Sequence, residues 1–235
     1  MTQEKAKFGE QAVNKFIEMV LARLVKAESL KVRIKANLKR LLRGELDALT
    51  IEMFGFLLQR NLVVAEFRFD IGSSAVNLRS IRHRKIELLY PTEGSVRMVI
   101  TQDQLTAALN AESEYPSGEQ QENIQLKQVN CELRADNAIA FDFNWICDQQ
   151  IESGTCITTP RIQPDGKAAI LDRGNVEGKE PPLKFVNAAI AQVNNILSLV
   201  DIANQGTTFH LQQIDIELGK LTLKASAYIE QFPSG

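Results

Sequence analysis

The sequence predicts an α+β protein in which a strongly curved antiparallel sheet, assembled from internal strand–turn–strand repeats, cradles two long amphipathic helices. Three observations point there. The pentapeptide Asn37-Leu38-Lys39-Arg40-Leu41 returns forty residues later as Asn77-Leu78-Arg79-Ser80-Ile81, each copy lying between segments of alternating apolar residues. Along the chain the apolar spacing switches repeatedly between the helical and the strand period. The strands also come in runs divided by single helices, an order that suits an antiparallel sheet and not a doubly wound parallel one.

Residues 8–26 predict the first long helix, with Val13, Phe16, Ile17, Val20, Leu21 and Leu24 on one stripe. Leu30, Val32, Ile34, Ala36 and Leu38 then alternate with Lys31, Arg33, Lys35 and Asn37, as in a strand with one buried face. Ile51 and Met53 continue the pattern, and Gly55 predicts a bulge where the apolar phase moves to Phe54 and Phe56. Segments 63–69, 86–90 and 96–100 predict further strands, with a turn at Pro91 and Gly94. Thr101 and Gln104 have the spacing of a capping box, opening a short helix whose apolar face is Leu105, Ala108 and Leu109. The polar, turn-rich stretch 111–122 predicts a long loop between two halves of a single domain spanning 1–235.

Beyond that loop Ile139, Phe141, Phe143, Trp145 and Cys147 alternate strictly, and Asp136-Asn137 predicts a hairpin turn back to 129–133. Another hairpin is expected to turn near 151–154, which would bring Cys147 and Cys156 face to face. Pro181 and Pro182 open the second long helix, where proline fits the first turn; its stripe is Val186, Ala189, Ile190, Val193, Leu197 and Val200. A hairpin turning at Gly219-Lys220 closes the chain.

The composition, 44% hydrophobic and 24% charged, is that of a globular protein with a substantial core. No apolar stretch approaches the roughly 20 residues needed to span a bilayer. Residues 1–9 carry no apolar signal core, so a cytoplasmic protein is expected. The net charge of −2 conceals an asymmetry: 23–43 holds eight Lys or Arg against Glu28 alone, while 103–152 holds ten acids against Lys127 and Arg134.

Signs of chemistry are weak. His83 and His210 are the only histidines, and Cys131, Cys147 and Cys156 show no metal-ligand spacing, so neither metal nor cofactor is expected. No nucleophile sits in a recognisable catalytic setting, and the expectation is a protein that is not an enzyme. Phe69-Asp70-Ile71-Gly72-Ser73-Ser74 resembles a phosphate-binding turn of the actin-like ATPases, yet six residues without any second nucleotide motif read as a strand ending in a Gly-Ser turn. Asp215 and Glu217 alternate with apolar neighbours and read as a solvated strand face. Arg79, Arg82, Arg84 and Lys85, with His83 among them and no acid, form a basic run that would meet anionic headgroups. Nucleic acid is not the expected partner, because no aromatic interleaves that run.

Several of these features together resemble the LmeA-like family of phospholipid-binding proteins. They are Gly9-Glu10-Gln11-Ala12-Val13, the two Asn-Leu turns, the step from Val99-Ile100-Thr101 to Leu105-Thr106-Ala107-Ala108-Leu109-Asn110, and the ending from Gly219-Lys220-Leu221-Thr222-Leu223 through Ile229 to Phe232-Pro233. The resemblance implies a tubular lipid-binding architecture with an apolar groove between helix and sheet. Arg84 stands where the first repeat has Gly44, so the second turn is expected to differ in shape.

The expected function is thus non-enzymatic binding of a phospholipid or another apolar ligand, peripheral to an anionic membrane. Phe16, Val20, Leu24, Val193 and Leu197 would line the groove, and Arg79, Arg82, Arg84 and Lys85 would face headgroups. The alternative is a protein-interaction scaffold with a fully packed core, since a stripe facing side chains reads the same as one facing acyl chains.

Overall fold

Every strand pairing in the computed structural model, which describes residues 15, 18–19, 22, 25–36, 38–59, 62–77, 80, 87–111, 124–199 and 206–231, is antiparallel. The larger sheet has six strands in the order β1 (Ser29–Lys35), β3 (Ala48–Gln59), β4 (Leu62–Ile71), β6 (Thr92–Thr101), β14 (Lys220–Ile229) and β13 (Thr207–Glu217). The second has four, β12 (Asn175–Gly178), β9 (Gln150–Thr158), β8 (Ile139–Cys147) and β7 (Ile124–Leu133). Two short pairs join β2 (Glu45–Leu46) to β5 (Ser74–Ala75) and β10 (Arg161–Ile162) to β11 (Ala169–Ile170). The helices are α1 (Leu38–Leu41), α2 (Gln102–Ala111) and α3 (Leu183–Leu197). This is a sheet-dominated α+β fold. Among the described residues only α2 and α3 reach seven residues, and the sheets show no strong curling.

Strict alternation decides which face of the larger sheet is buried. Val32 and Ile34 stand opposite Ile51 and Leu49, and Val96, Met98 and Ile100 stand opposite Ala225, Leu223 and Leu221, all of them buried. Arg33, Glu52, Arg97 and Lys224, which intervene, face outward, whereas Val99 and Thr222 are buried on the other face as well. At Gly55, where φ is +58°, the inward phase changes from buried Ile51 and Met53 to half-buried Phe56 and Leu58, whereas Phe54, expected to join them, stays at the surface. The register shift itself comes later, between Leu57 and Gln59. Leu38 does not continue β1 but opens α1.

Gly94 lies inside β6 instead of forming a turn: a Cβ there would stand 2.7 Å from the Asp70 carbonyl oxygen. The expected strand over 86–90 reduces, among its described residues, to a single bridge between Leu88 and Val76. The last hairpin turns at Leu218 and Gly219, one residue earlier than expected.

The smaller sheet forms around β8, where Ile139, Phe141, Phe143 and Trp145 are buried and the Trp145 indole N–H donates to Glu152 Oε2 at 2.9 Å. The turn before it centres on Asp136 and Asn137 as expected, with Asn137 at φ 63°. The turn after it is at Asp148 and Gln149, so 151–154 lies within β9. Gly154 is there because the Lys179 carbonyl occupies the place of its Cβ, not because the chain turns.

Helices seal two strand edges through side chains. The Thr101–Gln104 capping box forms in both directions, at 3.0 and 3.3 Å, and starts α2. Along α2, Gln102 Oε1, Thr106 Oγ1 and Asn110 Oδ1 accept from the backbone N–H groups of Leu133, Cys131 and Val129 at 3.1, 3.0 and 3.0 Å. Four helical residues rise about 6 Å and two strand residues about 6.6 Å, so the spacings match and β7 is left with no open edge there. The first predicted long helix is described only at Lys15, Glu18, Met19 and Ala22, which are helical; Glu18 Oε1 accepts the Val32 N–H of β1 at 3.0 Å.

α3 matches the second predicted helix. Val186, Ala189, Ile190, Val193 and Leu197 are buried, together with Phe185 and Ile196, while Val200 lies outside the described residues. Gln192 Nε2 donates to the Ala108 carbonyl of α2, and Asn194 bonds both backbone groups of Leu171. One buried apolar cluster runs through both sheets and α3.

Candidate functional site

The two repeat turns, remote in sequence, meet at one end of the six-stranded sheet. Gly44, at φ +80°, turns the chain after α1 and offers its carbonyl to the Val76 N–H at 2.8 Å. β2 pairs with β5 on one side, Glu45 opposite Ala75, and on the other side the Leu89 N–H donates to the Ala75 carbonyl at 2.8 Å. The Asn77 N–H donates to Glu87 O, and Ser80 Oγ accepts the Glu87 N–H at 3.2 Å, so the chain leaves and returns at the same place.

Charge at this end is arranged by α1. Arg40 donates from Nε to Glu45 Oε2 at 3.0 Å and also pairs with Asp47; these carboxylates hold its guanidinium in the charged form. Lys39 and Arg43 are exposed and make no ion pair among the described residues. The predicted headgroup residues Arg79, Arg82, Arg84 and Lys85 lie outside the described residues, as do Phe16, Val20 and Leu24 of the predicted groove. Val193 and Leu197, the other two groove residues, are fully buried on α3.

Sequence reasoning missed the apolar part of this end. Leu42 is 72% exposed in the turn after α1, and Leu89 and Tyr90 are 61% and 48% exposed in the stretch leading to β6. Nothing in their spacing marks them, because an exposed leucine and a buried one look alike in sequence.

The outer face of the larger sheet carries a second constellation. Arg68, Arg97 and Lys224 stand directly opposite one another on β4, β6 and β14. Each is compensated: Arg68 by Asp70 at 2.7 Å and Glu52 at 3.2 Å, Arg97 by Glu66 at 2.7 Å, Lys224 by Asp215 at 3.4 Å. The Arg68 hydrogen bonds, with help from the Thr50 hydroxyl, lower the Asp70 pKa. Two shallow cavities of about 480 and 330 Å³ open on this face, the first over the Arg68 row and the second over Gly94, His210 and Tyr228. Half-exposed pairs of this kind contribute little to stability, typically under about 1 kcal/mol each, and keep the face soluble. Asp70 therefore ends a strand and binds its neighbours, as read from the sequence, and Asp215 and Glu217 sit on the solvated face.

The cysteines are not paired. Cys131 and Cys156 flank Phe141 on β7 and β9, whereas Cys147 pairs with Gln150 at the other end of the hairpin, so the expected juxtaposition of Cys147 and Cys156 is corrected by the turn at Asp148. Burial pushes the Cys131 thiol up to about 12, which leaves it unreactive. Among the described residues no group of three His, Cys, Asp or Glu could hold a metal, and no helix is long and apolar enough to cross a membrane.

Neither the curated proteins nor the solved structures hold a match to this chain. A family model does match, and it covers residues 5–226, which includes the repeat turns, α2, α3 and most of the final hairpin. The chain belongs to the LmeA-like phospholipid-binding family.

Proposed function

We propose that this protein binds a phospholipid, or another apolar ligand, without altering it chemically, and works peripherally at an anionic membrane. The observation that carries the reading is the family match over 5–226. In this reading the acyl part is cradled between the sheet and the two long helices, against Val193 and Leu197 of α3 and Phe16, Val20 and Leu24 of the N-terminal helical segment. Arg79, Arg82, Arg84 and Lys85 meet headgroup phosphates through charge-assisted hydrogen bonds. Two features support it: α3 presents an apolar stripe to the interior, and the two repeat turns meet at one end of the larger sheet.

One observation favours a second reading. Val193 and Leu197 are already covered by the chain itself, as a fully packed protein-interaction scaffold would require. Native mass spectrometry of the purified protein separates the two: co-purifying lipid supports the binder, and a bare chain after incubation with lipid supports the scaffold.

A further inference from the structure

We propose that the end of the six-stranded sheet formed by α1, β2, β5 and residues 87–91 docks on an anionic lipid bilayer, with Leu42, Leu89 and Tyr90 entering the interfacial layer and Lys39 and Arg43 meeting phosphates. The choice of a lipid surface as partner rests on the lipid-binding reading above. Exposed apolar residues scattered singly need no explanation. These three are not scattered. Leu42 lies two residues before Gly44, whose carbonyl bonds Val76; the Leu89 N–H bonds the Ala75 carbonyl next door in the chain; and Tyr90 follows Leu89 directly.

Charge makes the surface complementary to an anionic membrane. Among its described residues Lys39 and Arg43 are exposed and make no ion pair. Its described acids are all engaged, Glu45 and Asp47 by Arg40 and Glu87 as acceptor from Asn77 Nδ2 at 3.1 Å. Aliphatic side chains beside a tyrosine and unpaired cations are the combination that settles at the headgroup level, where the ring is amphipathic and the cations find lipid phosphate. Leu218 and Ile151, exposed elsewhere, lack this setting: Leu218 adjoins Glu217 and Ile151 adjoins Glu152.

Among the described residues this end stays uncovered at Leu42, Leu89 and Tyr90. At the opposite end of the larger sheet the Gly219 N–H donates to Leu133 O of the smaller sheet and the Gln102 N–H of α2 to Gly219 O, both at 3.0 Å. Docking would therefore stand the long strands away from the bilayer and leave the smaller sheet distal.

The test is co-sedimentation of the full chain with vesicles of phosphatidylcholine containing phosphatidylserine, and with phosphatidylcholine alone. Leu42→Ser and Leu89→Ser should each weaken binding to the anionic vesicles by about tenfold, the scale expected for losing one buried leucine. Melting temperatures should not move, since both side chains are exposed. Leu218→Ser, at the far end, should bind like wild type. Tyr90→Trp should blue-shift its emission on anionic vesicles, against the constant signal of buried Trp145. The proposal is overturned if wild type ignores the anionic vesicles, if the leucine variants bind as wild type does, or if those variants lose only self-association. Native mass spectrometry keeps the two ideas apart. A lipid-loaded protein that ignores vesicles sinks the docking surface alone; an unloaded protein that docks through Leu42 and Leu89 sinks the bound-lipid reading alone.

Discussion

Thr106→Val should destabilise this protein by about 2 kcal/mol, although it changes neither volume nor shape. The Thr106 hydroxyl accepts the Cys131 N–H at 3.0 Å and donates to the Cys131 carbonyl at 3.4 Å, on a strand edge that has no other strand beside it among the described residues. Cys131 is 1% exposed, so water cannot replace the lost partner. A buried N–H left unsatisfied costs about 1–3 kcal/mol. Threonine and valine have nearly the same helix propensity, so no gain in α2 offsets that cost. At roughly 2–4 °C per kcal/mol for a chain of this size, the melting temperature should fall by about 4–8 °C. Thr106→Ser keeps the hydroxyl and should lose less. Hydrogen exchange at the Cys131 amide should accelerate in the valine variant and not in the serine one. A valine variant melting within about 1 °C of wild type would refute the claim that α2 seals the β7 edge.

Cys131 and Cys156 should resist alkylation at neutral pH until the protein unfolds, with half-buried Cys147 reacting first by mass spectrometry. Because the Cys131 thiol is held near pKa 12 in the fold and titrates near 9 when unfolded, stability is intact below about pH 9 and falls as pH rises toward 12; Cys131→Ala should flatten that alkaline slope in thermal melts. Asp70 titrates lower in the fold than in the unfolded chain, so its contribution is present above about pH 4 and is lost as pH falls through the folded value. Asp70→Asn should flatten the acid limb of the same melts. Replacing Arg79, Arg82 and Arg84 together by Glu should weaken binding to anionic liposomes, more at low salt than at high, with an almost unchanged melting temperature; equal binding at low salt would remove these residues from the membrane surface.

Much of the fold is legible wherever one residue settles a local choice. The alternation from Ile139 to Cys147 fixes β8, Asn137 tolerates the left-handed turn before it, and Thr101 with Gln104 starts α2. Two failures share a cause: glycine reads as a turn, yet Gly94 and Gly154 answer to close backbone approaches made by residues distant in sequence. Gln102, Thr106 and Asn110 likewise read as the wet face of a helix, because only the tertiary structure shows that β7 lies against them. The candidate site divides in the same way. Its basic run is visible in the sequence, whereas the exposure of Leu42, Leu89 and Tyr90 depends on two turns meeting through β2 and β5.

The central claim is that this chain carries lipid. Native mass spectrometry of this chain, purified without detergent and then incubated with mixed phospholipids, tests it most directly. The account predicts a second mass series, offset by one phospholipid, which is reduced when Val193→Phe fills space in the proposed groove. A single series at the bare chain mass under every lipid condition, with Val193→Phe costing stability and nothing else, would contradict it.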